Sequence, residues 1–230
     1  NKPLINVNHI HGHIFSIFIY KNNLNYPKFP YICLSISGGH TKLLIIKNFL
    51  TIKEKGISLD ENIGNLYNKI SRLLNFKYLK GPKMIEKYSK IGKYKYKIPI
   101  PKVKKYNFSF SGIYTYLKKL IKIKKKKNIK HICRSFQETI FIIFKQKINK
   151  LIKKSKIKNI VITGGVSNNK FLKKKFIREY KNYNIHFNLK NKINKDNAAM
   201  IALVGQIKYY YKLFDNYKNN KKNNKKINYL

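Results

Sequence analysis

The sequence predicts an α/β fold, in which helices pack against a sheet and no internal repeat is visible. Residues 31–37 and 41–47 are apolar runs on either side of Gly38 and Gly39, a pattern typical of a hairpin with a glycine turn. Further along, the apolar run 160–162 ends at a second glycine pair, and a helical pattern follows it. The hairpin and the strand–glycine–helix unit together predict the fold class.

Helices are predicted wherever apolar residues recur every three or four positions. The clearest case is 59–75, where Ile63, Leu66 and Ile70 share one face. The full set of predicted helices is 9–20, 59–75, 83–91, 111–124, 131–154, 167–180 and 196–213. A short strand is predicted at 184–188, and the prolines around residue 100 mark a loop.

The predicted domain covers residues 1–213 and is followed by a basic tail over 214–230. Hydrophobic residues make up 43% of the 230 residues, which excludes a wholly disordered chain. The tail is dominated by Lys and Asn and is expected to be disordered. No apolar run approaches the ~18 residues of a membrane span, so no membrane span is expected. Cys33 and Cys133 lie far apart, which favours the cytoplasm, or an organelle with an A/T-rich genome; the alternative is one disulfide between them.

The charge of the chain has two interpretations. With 52 basic and 8 acidic residues the formal net charge is +44, a value typical of proteins that bind nucleic acids. However, almost all of the basic residues are Lys, and Asn, Ile, Tyr and Phe are also abundant, which indicates A/T-rich codons. Under either interpretation the surface attracts polyanions in a salt-dependent way. Aspartate is rare in this composition, so Asp196 calls for an explanation more than any lysine does.

The first predicted helix carries the segment His9-Ile10-His11-Gly12-His13. His9 and His13 are four residues apart and share a helical face, so both imidazoles can bind one metal, whereas His11 points elsewhere. A third ligand is needed, and Asp196 is the candidate; two His and one carboxylate suit a non-haem iron or a catalytic zinc. The alternative is a solvated or helix-capping histidine group. A metallopeptidase is excluded because Ile10 stands where that motif requires Glu.

Both glycine turns predict contact with an anionic ligand. The segments 37–41 and 164–169 each place two glycines directly after a strand, where backbone N–H groups can approach a phosphate. The second turn also opens a helix, whose N-terminus favours phosphate or ribose. Together the turns predict a nucleotide cleft between two lobes. Neither segment fits the dinucleotide fingerprint or the P-loop, so both of those classes are excluded.

Six segments resemble, in the same order, the motifs of the TsaD family, the tRNA adenosine threonylcarbamoyltransferases. The resemblance covers roughly residues 4–213 and implies the two-lobed ASKHA fold of actin, Hsp70 and sugar kinases, with the second lobe largely complete and the first mostly missing. The segments are 8–13, 34–41, 108–112, 135–138, 164–169 and 196–202.

The resemblance implies an acyl transfer from threonylcarbamoyl-adenylate to N6 of adenosine 37, in tRNAs that read codons beginning with A. It implies His9, His13 and Asp196 as ligands of one divalent metal, Fe²⁺ in the first place and Zn²⁺ in the second. Its implied partners are tRNA, the adenylate and proteins of the TsaB and TsaE type. The implied substrate-binding residues are Ile36, Ser37, Gly38, Gly39, His40, Asn68, Gly81 and Asn169.

Several departures from the family keep two other functions open. Asn68 stands where the family has Asp, Lys80 where a second glycine is common, and His11 where an acid is common. The family also has a further segment before the histidine helix, so this chain is expected to be a fragment, a degraded product, or one completed in trans. The alternatives are a non-catalytic remnant that binds tRNA through its charge and an ASKHA phosphotransferase that acts on a small molecule.

Overall fold

The computed structural model describes residues 3–19, 26–77, 80–124, 128–188 and 190–215. It contains one five-stranded sheet with helices on both faces. The strands are β1 Tyr31–Ile36, β2 Thr41–Ile46, β3 Ile52–Ile57, β4 Asn159–Thr163 and β5 Asn184–Phe187. The α-helices are α1 His9–Phe15, α2 Ile63–Leu73, α3 Gly81–Lys90, α4 Ser111–Lys124, α5 Ile129–Ser155, α6 Lys170–Glu179 and α7 Ala198–Tyr210. Short 3₁₀ turns occupy Ser16–Phe18, Gly165–Asn168 and Asn191–Asn194.

The sheet has the strand order β3-β2-β1-β4-β5, with β1 at its centre. The first three strands are antiparallel, whereas β4 and β5 join in parallel. Every residue of β1 is buried, and its side chains alternate between two apolar clusters. Ile32 and Leu34 face the helices α2 to α6, whereas Tyr31 and Cys33 face α1 and α7. The hairpin predicted over 31–37 and 41–47 and the buried strand predicted at 160–162 are confirmed.

Strand β3 was not predicted. Its sequence is Ile-Lys-Glu-Lys-Gly-Ile, in which only Ile52 and Gly56 are buried. It lies at the edge of the sheet and pairs with β2 through a register shift at Leu43 and Leu44. An edge strand with charged residues lacks the apolar alternation by which strands are recognised. The predicted helix 59–75 accordingly begins later, at Ile63.

The remaining helices agree with the sequence except at their ends. The predicted helix 9–20 is an α-helix as far as Phe15 and a 3₁₀ turn over 16–18. Loop residues follow α3 up to α4, where the prolines lie. At the predicted tail, the N–H of Asp215 donates to Leu4 O at 2.9 Å, and residues 216–230 lie outside the described part. None of the described helices is long and apolar enough to span a bilayer.

Asp60 ties the end of β3 to the start of α4. Its carboxylate accepts hydrogen bonds from Ser109 Oγ at 2.6 Å, from Ser111 Oγ at 2.7 Å and from the Phe110 N–H at 2.9 Å. Burial raises the pKa of Asp60, but these hydrogen bonds and one from the Glu61 N–H outweigh burial and hold the pKa well below its usual range. The rare aspartate therefore has a structural role here.

The stability of the chain is expected to depend on pH through Asp60. Because its folded-state pKa is depressed, its stabilisation is complete above the unfolded-state pKa of about 3.9 and is lost as the pH falls below that value. Thermal melting of the Asp60→Asn variant should lie below the wild type near neutral pH, and the two should converge in acid. A constant gap between the two melting curves down to roughly pH 2 would contradict this linkage.

Candidate metal and nucleotide site

Three side chains with metal-binding groups converge where α1 meets the start of α7. His9 Nε2 lies 3.2 Å and His13 Nε2 lies 3.0 Å from the same carboxylate oxygen, Asp196 Oδ1. One ligand atom from each residue falls within 4.8 Å of the others. The His13 side chain is 3% exposed, whereas those of His9 and Asp196 are 54% and 76% exposed. These three residues, which we call the metal-binding group because of their ligand types, thus combine one buried imidazole with two side chains beside solvent.

Local structure explains why these residues meet. Asn8 begins α1 by accepting a hydrogen bond from the Ile10 N–H at 2.8 Å, and this fixes the helical spacing of the two histidines. Asn197 begins α7 in the same way, through the Met200 N–H at 3.0 Å, with Asp196 directly before it. A Cβ at Gly12 would lie 3.0 Å from Met200 Cγ, so glycine lets the two helices approach closely.

The backbone of His13 is held by two hydroxyl groups. Thr163 Oγ1, at the end of β4, and Ser16 Oγ each donate to His13 O at 2.8 Å. Burial lowers the pKa of His13, the neighbouring His9 lowers it further, and Asp196 opposes both effects. The neutral imidazole that results is the form that binds a metal. Within the described residues, the buried His13 Nδ1 has no hydrogen-bond partner.

The β1–β2 turn lies directly beside this group. The rings of His13 and His40 are 5.4 Å apart. Both nitrogens of His40 are occupied, Nε2 by Ser35 Oγ at 2.7 Å and Nδ1 by Ser37 Oγ at 2.9 Å. Burial lowers the pKa of His40 to about 4. Ser37 Oγ also accepts from the Gly39 N–H at 3.2 Å, so one hydroxyl closes the turn.

A cavity of about 740 Å³ opens on the other side of this turn. The cavity is lined by residues of the β1–β2 turn, of α2 and α3, of the Gly165–Asn168 turn and of the loop before α7. Of the predicted substrate-binding residues, Gly38, Asn68 and Asn169 line it. Lys195 lines it too and directly precedes Asp196, so the loop before α7 contributes to both the cavity and the three-residue group. The volume suits a nucleotide-sized ligand.

The other predicted substrate residues do not line the cavity: they are Ile36, Ser37, Gly39, His40 and Gly81. Ile36 is fully buried in the core. A Cβ at Gly81 would lie 2.5 Å from Ser71 Cβ, so this glycine lets α3 start against α2. A Cβ at Gly64 would lie 2.7 Å from Gly38 Cα, so α2 in turn approaches the β1–β2 turn closely. Gly81 and Gly64 thus set how closely α3, α2 and the β1–β2 turn pack against one another.

The cavity also has lining residues that were not predicted. Tyr67 lies on α2 beside Asn68, and Glu86 lies on α3. Tyr67 was hidden within an apolar helical pattern, and only its hydroxyl group distinguishes it from the core residues around it. The lining lysines form what we call the lysine rim, and none of them is in a salt bridge within the described residues. The rim consists of Lys83, Lys87, Lys90, Lys170, Lys192 and Lys195.

Solved structures show the same fold at low sequence identity. Full-length HypF in the phosphate- and nucleotide-bound form has a TM-score of 0.69 and 14% identity, over 92% of this chain and 44% of that one. HypF from T. kodakarensis has a TM-score of 0.61 and 12% identity, over 90% of this chain and 37% of that one. These likenesses confirm the predicted fold class.

Sequence comparisons identify the family. The family model described as TsaD, tRNA N6-adenosine threonylcarbamoyltransferase, matches residues 1–203. The protein of that name from Riemerella anatipestifer is 38% identical over 90% of this chain and 63% of its own length. The one from Carboxydothermus hydrogenoformans is 37% identical over 91% of this chain and 62% of its own length. The chain therefore spans less than two thirds of these relatives. It belongs to the TsaD family of tRNA N6-adenosine threonylcarbamoyltransferases.

Proposed function

We propose that this chain transfers the threonylcarbamoyl group from threonylcarbamoyl-adenylate to N6 of adenosine 37 in tRNAs that read codons beginning with A. The observation that carries the proposal is that His9, His13 and Asp196 converge, and that Lys195, the residue before Asp196, lines the nucleotide-sized cavity. In such a transfer the nucleotide and the reacting group must be held side by side. The two adjoining sites have that arrangement.

The donor set fits a divalent metal. Two imidazole nitrogens and one carboxylate oxygen within 4.8 Å leave coordination positions open for a ligand, as in iron and catalytic zinc sites. The buried, neutral His13 is suited to binding a cation without competition from a proton. A divalent ion held there, Fe²⁺ or Zn²⁺, would supply a Lewis acid to the oxygen atoms of the threonylcarbamoyl group.

The chain's own residues supply positioning. The N6 amine attacks the carbonyl carbon of the threonylcarbamoyl group, the bond from that carbon to the phosphate oxygen breaks, AMP leaves with the electron pair, and N6 loses a proton. The cavity would hold the AMP portion, with Gly38 and Gly165 allowing close approach of the backbone and Asn169 offering an amide. Holding the adenylate in a fixed pose lowers the entropic part of the barrier.

The phosphotransferase alternative is less well supported. Transfer of a phosphoryl group requires Mg²⁺, which is held by carboxylates and substrate phosphates. In the described part of the cavity lining, Glu86 is the only carboxylate, and the three-residue group beside it is dominated by imidazole. Imidazole favours iron or zinc over magnesium.

The lysine rim supports tRNA as the second substrate. Its six lysines line the cavity and are exposed, so an RNA strand that passes over them would place adenosine beside the threonylcarbamoyl group. Lysines without carboxylate partners bind phosphates and release counterions. Partner proteins of the TsaB and TsaE type remain predictions from the family resemblance.

The experiment that tests this function measures the product. The chain, supplied with Fe²⁺ or Zn²⁺, threonylcarbamoyl-adenylate and an unmodified tRNA transcript, should form threonylcarbamoyladenosine at position 37. The Asp196→Ala variant should form at least about 100-fold less, since each ligand is needed to hold the ion. Absence of product from a wild-type chain that binds one metal and binds AMP would contradict the proposal.

RNA binding is expected to depend on the α3 part of the rim. Changing Lys83, Lys87 and Lys90 together to Gln should weaken tRNA binding by roughly tenfold at physiological salt, because three phosphate contacts are lost. The slope of log affinity against log salt should fall by about 2 to 3. Filter binding at several salt concentrations measures both quantities.

The matched control removes the same charge elsewhere. Lys118, Lys119 and Lys122 are exposed on α4, away from the cavity lining. Changing these three to Gln removes the same net charge and should weaken tRNA binding by less than about twofold. Equal weakening by both triple variants would show that tRNA binds through overall charge alone, as in the non-catalytic alternative.

A further inference from the structure

Gln137 of α5 connects four helices beneath the cavity. Its side chain is fully buried and bonds to residues of three other elements. Oε1 accepts from Asn169 Nδ2 at 2.6 Å and from Tyr67 Oη at 3.3 Å, and Nε2 donates to Ser89 Oγ. Tyr67 and Asn169 line the cavity, whereas Gln137 and Ser89 lie outside its lining. Gln137 thus touches two cavity-lining side chains without facing the cavity itself.

The direction of every hydrogen bond in this group is fixed from its two ends. At one end, the Leu172 N–H can only donate, so Asn169 Oδ1 accepts from it at 3.1 Å and Asn169 Nδ2 must face Gln137. At the other end, Glu86 O can only accept, so Ser89 Oγ donates to it at 2.8 Å and itself accepts from Gln137 Nε2. The two ends demand the same orientation of the Gln137 amide.

This orientation decides what the cavity offers to a ligand. Asn169 uses one N–H on Gln137 and has a second N–H to give. Tyr67 donates its only proton to Gln137, so its oxygen is left as an acceptor. The donor on Asn169 and the acceptor on Tyr67 are both hydrogen-bonded to Gln137 Oε1. Such a pair fits a ligand group that can accept and donate through the same atom, as a hydroxyl group does.

We propose that Gln137 is a positioning residue that sets this donor–acceptor pair for one ribose hydroxyl of the nucleotide. The inference rests on the proposed function only in that it takes the AMP portion of the adenylate as the ligand. It adds a specificity determinant in the Ser135–Glu138 segment, which lies outside both the metal-binding group and the cavity lining. The ligand class that it selects is nucleotides whose ribose carries that hydroxyl group.

Calorimetric binding of AMP, 2′-deoxy-AMP, 3′-deoxy-AMP and inosine monophosphate tests the proposal without metal or tRNA. The wild type should bind one of the two deoxy analogues about tenfold more weakly than AMP, because the pair at Tyr67 and Asn169 is then left unsatisfied. In Gln137→Leu that preference should shrink to within about twofold. Gln137→Glu keeps an acceptor oxygen for Tyr67 and Asn169. Because burial favours the protonated carboxyl group, its second oxygen can still donate to Ser89, so this variant should retain most of the preference.

Tyr67→Phe removes the hydroxyl group, and with it both the acceptor and the hydrogen bond to Gln137. It leaves the buried ring in place, so it should reduce the preference without unfolding the chain. A uniform loss of affinity for all four nucleotides in Gln137→Leu would show a merely structural role and overturn the proposal. So would failure of the wild type to bind AMP. Gln137→Leu could instead lose the preference for AMP over inosine monophosphate and keep the preference for AMP over the deoxy analogue. That result would show that the pair contacts the base, and it would also overturn the assignment to ribose.

Discussion

Changing both His9 and His13 to Ala is expected to abolish stoichiometric metal binding. The wild type should hold about one Fe²⁺ or Zn²⁺ per chain, and the double variant should bind at least about 100-fold more weakly, because only Asp196 remains of the three ligands. Elemental analysis after anaerobic loading gives the stoichiometry, and competition with a chromogenic chelator gives the affinity. Both measurements are independent of catalysis.

The two histidines should contribute unequally. His13 is buried, and hydroxyl groups of two elements hold its backbone carbonyl, so its imidazole is ordered before the metal binds. The His9 side chain is 54% exposed and loses more freedom on binding. His13→Ala alone should therefore cost more affinity than His9→Ala alone. Equal affinities of the two single variants would contradict this ordering.

His11→Ala is the matched control on the same helix. The His11 ring packs edge-on against Phe15 at 6.4 Å, away from the metal-binding group. Its buried Nε2 has no hydrogen-bond partner within the described residues, so the substitution breaks no hydrogen bond of that atom there. This variant should keep the metal stoichiometry of the wild type. Full metal content in the double variant, or its loss in His11→Ala, would overturn the ligand assignment.

The position of the metal-binding group could be predicted because it depends on local rules. The four-residue spacing of His9 and His13 requires only that the segment be helical, and Asn8 in front of it is a typical helix cap. Asp196 could be chosen because aspartate is rare in this composition and because its segment resembles the family motif. Neither inference required knowledge of the tertiary packing.

The floor of the cavity could not be predicted, because it is made by contacts between distant segments. Gln137 meets Tyr67 and Asn169 only when α5 packs under α2 and α6. In the sequence Gln137 lies within a predicted helix, and no neighbouring residue indicates which distant side chains it contacts. Gly81 is the opposite case, since a glycine attributed to substrate binding lies against Ser71 and sets the distance between two helices.

Strand β3 shows the limit of periodicity as a guide. Only two of its six residues are buried. Lys42 Nζ of β2 forms a salt bridge with Glu54 Oε2 of β3 at 2.6 Å. Polar cross-strand pairing of this kind stabilises an edge strand, yet in the sequence it is indistinguishable from a solvated loop. The edge of the sheet is thus less predictable than its centre, where β1 is apolar at almost every position.

Gly164→Ala is expected to destabilise the chain by roughly 3 kcal/mol or more, which corresponds to a fall in melting temperature of roughly 10 °C. Gly164 has a φ of +88°, a region that L-residues rarely adopt. A Cβ there would lie 2.8 Å from Ile36 C and closer still to Ile36 O. Because these are backbone atoms of the buried central strand, the neighbour cannot move aside cheaply.

The Gly165→Ala variant tests whether the destabilisation is specific to Gly164 or follows from replacing any glycine of this turn. A Cβ at Gly165 would meet nothing closer than Asn194 O at 4.0 Å, and no positive φ is required. This variant should stay within about 0.5 kcal/mol of the wild type in denaturant unfolding. If the two variants unfold alike, the contact between Gly164 and Ile36 does not determine stability.

The same contact links stability to nucleotide binding. The backbone of Ile36 leads directly into Ser37 and Gly38, so pushing β1 away from Gly164 displaces the turn that lines the cavity. The folded fraction of Gly164→Ala should therefore bind AMP about tenfold more weakly, since a misplacement near one ångström is enough to lose oriented contacts. If Gly164→Ala is destabilised but binds AMP with unchanged affinity, the contact between Gly164 and Ile36 stabilises the sheet without shaping the cavity.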